Sequence, residues 1–253
     1  MPWYEVVALL AAGMAAGTMN TIVGSGTLIT FPTLLFFGYT PLVANVSNTV
    51  GLVTGGLTGI AGYRAALVGQ GRTLRRLVPV SFIGALTGAI LLLELPESAF
   101  EAIVPALIGA ALLMVLFGPR LQTWAAARHP DHDSLGRRLL MTVGVFAAGI
   151  YGGYFGAAQG ALLVGLMSVL MTISLQRINA AKNVLVTVVN SVAAITFMLV
   201  AWERINWPVA ALIAAGALPG GYVGARVGRR LSPVMLRGVI VVVGVVAIAK
   251  MVA

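Results

Sequence analysis

The chain has 253 residues, 59% of them hydrophobic and 9% charged, with mean hydropathy +0.99, 31 glycines and no cysteine. Soluble domains carry about 25% charged residues, so this composition excludes a water-faced globule, and the missing cysteines exclude disulfides, thiolate metal centres and cysteine nucleophiles. The net charge of +9, from 16 Lys+Arg against 7 Asp+Glu, lies in short basic runs between apolar segments, the pattern of a multi-pass membrane protein and not of a nucleic-acid binder.

The start, Met1-Pro2-Trp3-Tyr4-Glu5, lacks a basic region and runs directly into apolar sequence, so it opens a first membrane helix and is not a cleavable signal peptide. Ten apolar segments are expected, at 5–22, 27–43, 44–62, 77–95, 99–118, 139–158, 160–176, 183–202, 206–226 and 234–253. The polar stretch 119–138, with Arg120, Arg128, His129, Asp131, His132, Asp133, Arg137 and Arg138, reads as a linker. It divides the chain into a first repeat, 1–118, and a second, 139–253.

Three pairs of short matches recur in order at nearly one offset: Gly24–Leu28 with Ala158–Leu162, Ala44–Asn48 with Asn179–Asn183, and Gly84–Gly88 with Gly216–Gly220. Charge orients the halves. In the first, the loop at 63–76 carries Arg64, Arg72, Arg75 and Arg76, and the next, 94–101, carries Glu94, Glu97 and Glu101. In the second the order reverses: Glu203 and Arg204 cancel, and Arg226, Arg229, Arg230 and Arg237 follow. Under the positive-inside rule equivalent loops lie on opposite sides, so the repeats are inverted and the linker is cytoplasmic. The expected fold is therefore all-α and polytopic, with two inverted repeats. Each is a helical hairpin, fully spanning or re-entrant, plus three transmembrane helices, and the hairpin turns fall near Gly24–Thr27 and Gly156–Gly160. Glycines spaced by four (Gly216, Gly220, Gly224 and Gly228; Gly51, Gly55 and Gly59; Gly152, Gly156 and Gly160) predict helix faces where backbones meet.

Catalytic chemistry finds no support. The histidines, His129 and His132, both sit in the linker, so Ser25 has no base for a serine-protease arrangement, and no phosphate-binding Gly-x-x-x-x-Gly-Lys-Ser/Thr run exists. Neither metal nor cofactor is implied. What lies inside the membrane is polar and mostly uncharged, gathered at the hairpin turns and at the segments after them. Asn20, Gly24, Ser25, Gly26, Thr27, Asn48, Gln159, Gly160, Lys182, Asn183 and Asn190 are the expected substrate-binding residues. Helices starting at Thr27 and Gly160, with two more starting near Asn48 and Asn183, would aim N–H groups and positive dipole ends into one wet cavity. With Lys182 and no carboxylate to balance it, this is a site for an anion; Arg177 reads either as part of it or as a cytoplasmic-side anchor.

The run Gly17–Pro32 followed by Ala44–Asn48, with Gly152–Gly160, Asn179–Asn183 and the tail Gly216–Gly220 with Gly224-Ala225-Arg226, resembles the TauE/SafE sulfite exporter family over essentially the whole chain. Ala157 and Ala158 stand where many relatives have more glycine. The resemblance implies a plasma-membrane secondary transporter, in bacteria of the inner membrane, that exports sulfite, sulfoacetate or a related sulfonate by alternating access. An anion channel, an importer of similar anions and a subunit that anchors a partner stand as rival readings, and a homo-oligomer is left open.

Overall fold

The computed structural model describes residues 1–126 and 135–227, with side chains at 1–117 and 135–226. The expected segment 234–253, together with Gly228, Arg229, Arg230, Arg237 and the linker residues Arg128, His129, Asp131, His132 and Asp133, lies outside the described residues. Helices make up the described chain, without a strand among them. A hairpin of α1 (Trp3–Ile22) and α2 (Thr27–Phe36) is followed by α3 (Pro41–Gly62), the single turn α4 (Arg64–Leu67), α5 (Gly71–Glu94) and α6 (Glu97–Ala126). A second hairpin, α7 (Leu135–Tyr154) and α8 (Gln159–Leu170), precedes α9 (Leu175–Val200), a 3-10 turn (Trp202–Arg204) and α10 (Trp207–Val227).

Lengths recur in the same order from Trp3 and from Leu135: 20, 10 and 22 residues for α1, α2 and α3, and 20, 12 and 26 for α7, α8 and α9. Five of the described helices (α1, α5, α6, α9 and α10) are long and apolar enough to cross a bilayer. At 1.5 Å per residue, α2 and α8 reach only about half of a ~30 Å hydrocarbon core, so each hairpin pairs a long leg with a short return leg. The first returns to the side where it began: the Tyr39 hydroxyl, just past α2, donates to Glu5 Oε1 at 2.7 Å.

Directions follow from residue pairs. Gly13 faces Ile213 and Gly17 faces Ala217, while Gly51 faces Ile213 and Gly55 faces Ala217, so α1, α3 and α10 run the same way. The Asn206 amide donates to Ser47 Oγ at 2.9 Å, and Gly56 lies against Thr187, so α9 descends as α3 rises. Gly84 packs on Phe146 and Gly88 on Ile150, which sets α5 parallel to α7.

These directions sort the charges. Arg64, Arg72, Arg75, Arg76, Arg137, Arg138, Arg177 and Arg226 gather at one end, and Glu5, Glu94, Glu97, Glu101, Glu203 and Arg204 at the other. The two ends of the bundle therefore differ in charge, the asymmetry on which the positive-inside rule assigns sidedness.

Small residues make the tight contacts, as expected. Gly216 and Gly220 meet the backbone of α1 at Leu10 and Met14. At that approach the hydroxyls of Thr18, Thr54 and Thr58 donate across to the carbonyls of Gly220, Ala214 and Leu218, at 3.0, 2.9 and 2.9 Å. In lipid, where apolar side chains gain little by association, such close packing and hydrogen bonding hold helices together.

Several boundaries differ from expectation. α2 stops at Phe36, because Gly38 (φ +88°) turns the chain and Pro41 starts a new helix. α3 therefore begins at Pro41 and α9 at Leu175, so Asn48 and Asn183 sit about two turns inside their helices and do not start them. Gly152, Gly156 and Gly160 share no helix face, since α7 ends at Tyr154 and Gly160 belongs to α8. Arg72, Arg75 and Arg76 stand on the first turns of α5, and helices extend into both ends of the 119–138 stretch.

Candidate functional site: two hairpin tips in contact

Both long legs end in the same way. The Met19 carbonyl accepts from the amides of Val23 (2.8 Å) and Gly24 (3.0 Å), and the Tyr151 carbonyl from those of Phe155 (2.9 Å) and Gly156 (3.0 Å). Gly24 (φ +83°) and Gly156 (φ +79°) take the left-handed conformation that closes such a helix end at little cost only for glycine. The short legs α2 and α8 then start at Thr27 and Gln159, so the two turns fall where the sequence placed them.

The tips touch each other. The Gly160 amide donates to the Gly24 carbonyl at 3.0 Å, and a Cβ on either glycine would stand 2.3 or 2.4 Å from the other's Cα. No other residue allows this approach.

Each tip is also held by the other half of the chain. Lys182, on α9 and 0% exposed, donates its amino group to the carbonyls of Asn20 and Thr21 at 2.9 Å each, in the last turn of α1. Asn45, on α3, donates its side-chain amide to the Tyr154 carbonyl at 2.9 Å, in the last turn of α7. Terminal carbonyls lack helical partners, so both side chains act as C-terminal caps delivered from a distance.

Polar groups around the tips fall into two sets. In the first, every member is paired: Asn48 Nδ2 donates to Thr27 Oγ1 at 3.3 Å, and the Thr30 hydroxyl donates to Asn48 Oδ1. In the second, Ser25 Oγ, both side-chain polar atoms of Gln159, and Asn183 Nδ2 are buried without a hydrogen-bond partner among the described residues. Buried polar groups are rarely left so, because an unmet donor costs about 1–3 kcal/mol, and a bound polar species is one way to meet it. Along α9, Asn183, Thr187 and Asn190 form a buried polar stripe, with Thr187 against Gly56 of α3.

The structure thus brings together Asn20, Gly24, Ser25, Gly26 and Thr27 of the first tip, Gln159 and Gly160 of the second, and Lys182 and Asn183 of α9. Asn48 touches the first tip through Thr27, and Asn190 lies two turns beyond Asn183. Two helix N-termini open at the tips, those of α2 and α8; the pair expected at Asn48 and Asn183 is absent because α3 and α9 begin earlier. Arg177 is half-buried at the basic end, where its carbonyl accepts from Gln70 Nε2 at 3.0 Å. Sequence reading gave no site role to Thr30, Thr187 or Asn45. The first two lie on the same helix faces as Thr27 and Asn183, three and four residues on, which was the available signal.

No cluster of metal-ligating side chains occurs among the described residues. Compared with known proteins, the chain matches the sequence profile described as "Sulfite exporter TauE/SafE" over residues 9–251. It belongs to the TauE/SafE sulfite exporter family. Among curated proteins it is similar to a "Probable membrane transporter protein" of Haemophilus influenzae, at 26% identity across 96% of this chain and 93% of that protein. It is also similar to "Probable membrane transporter protein YfcA" of Escherichia coli, at 25% identity across 96% and 88%, and to "Probable membrane transporter protein ORF9" of a Sinorhizobium species, at 25% across 97% and 91%. No solved structure matches. Membership makes the chain a multi-pass membrane transporter and not an enzyme family member, in agreement with its apolar helices.

Proposed function

We propose that this transporter exports a small sulfur-containing oxyanion, sulfite or an organosulfonate such as sulfoacetate, and that the anion binds at the junction of the two hairpin tips. The observation that carries this reading is the set of buried, unpaired polar groups, Ser25, Gln159 and Asn183, beside the Gly24–Gly160 contact. A tetrahedral or pyramidal oxyanion accepts from hydroxyl, amide and backbone N–H donors at once. Positive ends of α2 and α8 meet it from opposite halves. Lys182 adds positive charge one residue from Asn183 while its hydrogen bonds fix α1. The described carboxylates, Glu5, Glu94, Glu97, Glu101 and Glu203, all stand at the end opposite the arginines.

Movement follows from the architecture. The halves 1–118 and 139–253, joined by a cytoplasmic linker over 119–138, are read as inverted repeats. Supporting this are the recurring helix lengths, the opposite senses of α3 and α9, and caps exchanged between halves by Lys182 and Asn45. Rocking one half against the other about the tips would open the site to each side in turn. An inside-negative potential favours outward anion movement by about 2.3 kcal/mol per charge per 100 mV, so export needs no coupling ion.

The test is counterflow of labelled sulfite in proteoliposomes of the purified protein. Saturable accumulation driven by unlabelled sulfite on the other side is expected. Flux that never saturates and shows no counterflow identifies a pore, and absence of flux refutes the substrate.

A further inference from the structure

Two helices pack against the half of the chain they do not belong to. α10, of the second half, meets α1 and α3 backbone to backbone: Gly220 stands on Met14 and Gly221 on Gly55, and the hydroxyls of Thr18, Thr54 and Thr58 donate to carbonyls of α10. α5, of the first half, meets α7 in the same way, with Gly88 on Ile150 and Gly153 on Ala85, while Ala85 also packs with Val189 and Val192 of α9. Among the described residues, α5 makes no extended contact with α1, α2 or α3, and α10 makes none with α7, α8 or α9.

The exchange is pinned where each lent helix begins. Gln70, the buried residue before α5, donates Nε2 to the Arg177 carbonyl of α9 at 3.0 Å. The amide of Asn206, the residue before α10, donates to Ser47 Oγ of α3 at 2.9 Å. Two groups of helices result, α1, α2, α3 and α10 in one, and α5, α7, α8 and α9 in the other. The bonds between the groups are of another kind. Lys182 and Asn45 reach across to helix-end carbonyls, the Gly160 amide reaches the Gly24 carbonyl, and Thr187, in the polar stripe of α9, lies on Gly56 of α3.

We propose that these two groups, each holding one helix lent by the other half, are the rigid bodies that rock during transport, and that they part along the α3–α9 seam and the joined tips. Backbone-tight interfaces do not slide gradually, because packed surfaces have discrete arrangements, so α10 travels with α1 and α3, and α5 with α7 and α9. The seam is held by a few side-chain bonds that water or an anion can replace. Asn183, Thr187 and Asn190 then line the parting face, where an opening seam wets them. The proposal rests on the rocking motion put forward above and not on the identity of the anion.

The chain has no cysteine, so labelled pairs can be introduced without background. Leu57 on α3, Ile83 on α5 and Tyr222 on α10 are all exposed. Leu57→Cys with Ile83→Cys joins one half but two bodies; Leu57→Cys with Tyr222→Cys joins two halves but one body. Distances between spin labels, read by pulsed electron paramagnetic resonance in nanodiscs without added anion, should show two populations for the first pair and one for the second. A mobile second pair with a fixed first pair would make the sequence halves the bodies; both pairs fixed, or both mobile, would also overturn the proposal. In proteoliposomes, mercuric cross-linking of Thr58→Cys to Leu218→Cys, α3 to α10, should leave sulfite counterflow within about twofold of the unlinked protein. Linking Gly56→Cys to Thr187→Cys, α3 to α9, where an added Cβ stands 3.2 Å from that of Thr187, should cut it to less than about a tenth. Counterflow lost in the first linked protein or kept in the second contradicts the exchange. The distance arm needs neither substrate nor the crowded Gly56 variant, so the predicted distances without any sulfite flux would refute the anion reading alone.

Discussion

The two hairpins share a design but are held with unequal strength. Both end a long helix on a left-handed glycine, Gly24 or Gly156, and both have that helix end capped by a side chain from the other half. The α1 end receives two hydrogen bonds from the amino group of Lys182, and its tip is Gly24-Ser25-Gly26. The α7 end receives one, from a neutral amide of Asn45, and its tip includes Ala158 at φ +58°, a conformation that costs non-glycine residues roughly 1–2 kcal/mol. Chemistry has thus been made firm on one side of the Gly24–Gly160 contact and looser on the other. A carrier whose tips must meet and part would place its mobile leg at α8, where both side-chain polar atoms of Gln159 also lack a partner among the described residues.

The contact itself is the place to break this comparison most severely. Gly160→Ala leaves helix α8 intact but drives a methyl to 2.4 Å from the Gly24 Cα. Counterflow should fall to less than about a tenth, a loss above 1.4 kcal/mol in the transport barrier. Unequal capping comes next: Lys182→Met strands two buried carbonyls and should cost about 2 kcal/mol of unfolding free energy, against about 0.6–1 kcal/mol for Asn45→Leu, measured by chemical unfolding in detergent. Equal costs would mean that the two tips are held alike.

Removing one unpaired donor should touch binding and spare the fold. Asn183→Ala is expected to weaken sulfite about tenfold, or 1.4 kcal/mol, with unfolding changed by less than about 0.5 kcal/mol. Ala158→Gly should relieve the left-handed strain and, after the entropic penalty of glycine, stabilise by about 0.5 kcal/mol. The smallest effect concerns the outer clasp of the first hairpin. Burial, helped by the hydrogen bond and charge of Glu5, pushes the Tyr39 hydroxyl up to about 12 from 10. Because the folded value lies above the unfolded one, the clasp contributes fully below pH 10, and its contribution is lost as pH rises towards 12. Tyr39→Phe should flatten the fall in stability between pH 10 and 12.

Much of this was legible in the sequence, for physical reasons that differ by residue. Gly24 and Gly156 punctuate apolar runs, and lipid leaves few other ways to turn a chain, so the tips were visible. Arginine placement marked one end of the bundle as basic, because loop charges are selected by membrane topology, and the packing face of α10 could be read from glycines spaced by four, though not that α1 and α3 fill it. Helix starts were less legible. Asn48 and Asn183 look like N-terminal caps, but Pro41 and the turn at Ser174 begin the helices earlier, and the side chain of Asn48 pairs with threonines of α2. The partners of Lys182 were invisible because Asn20 and Thr21 offer backbone carbonyls, which carry no mark of residue type and come within reach only when the two halves pack.

Anion binding at the joined tips can be measured most directly by thermal shift of detergent-solubilised protein titrated with sulfite and with sulfoacetate, comparing the native chain with a Ser25→Ala, Gln159→Ala double variant. A ligand that binds only the folded state must raise its apparent stability. A saturable rise with at least one of these anions, requiring at least tenfold more ligand in the double variant, is the predicted result. No rise with either anion, or the same midpoint in both proteins, would contradict the site.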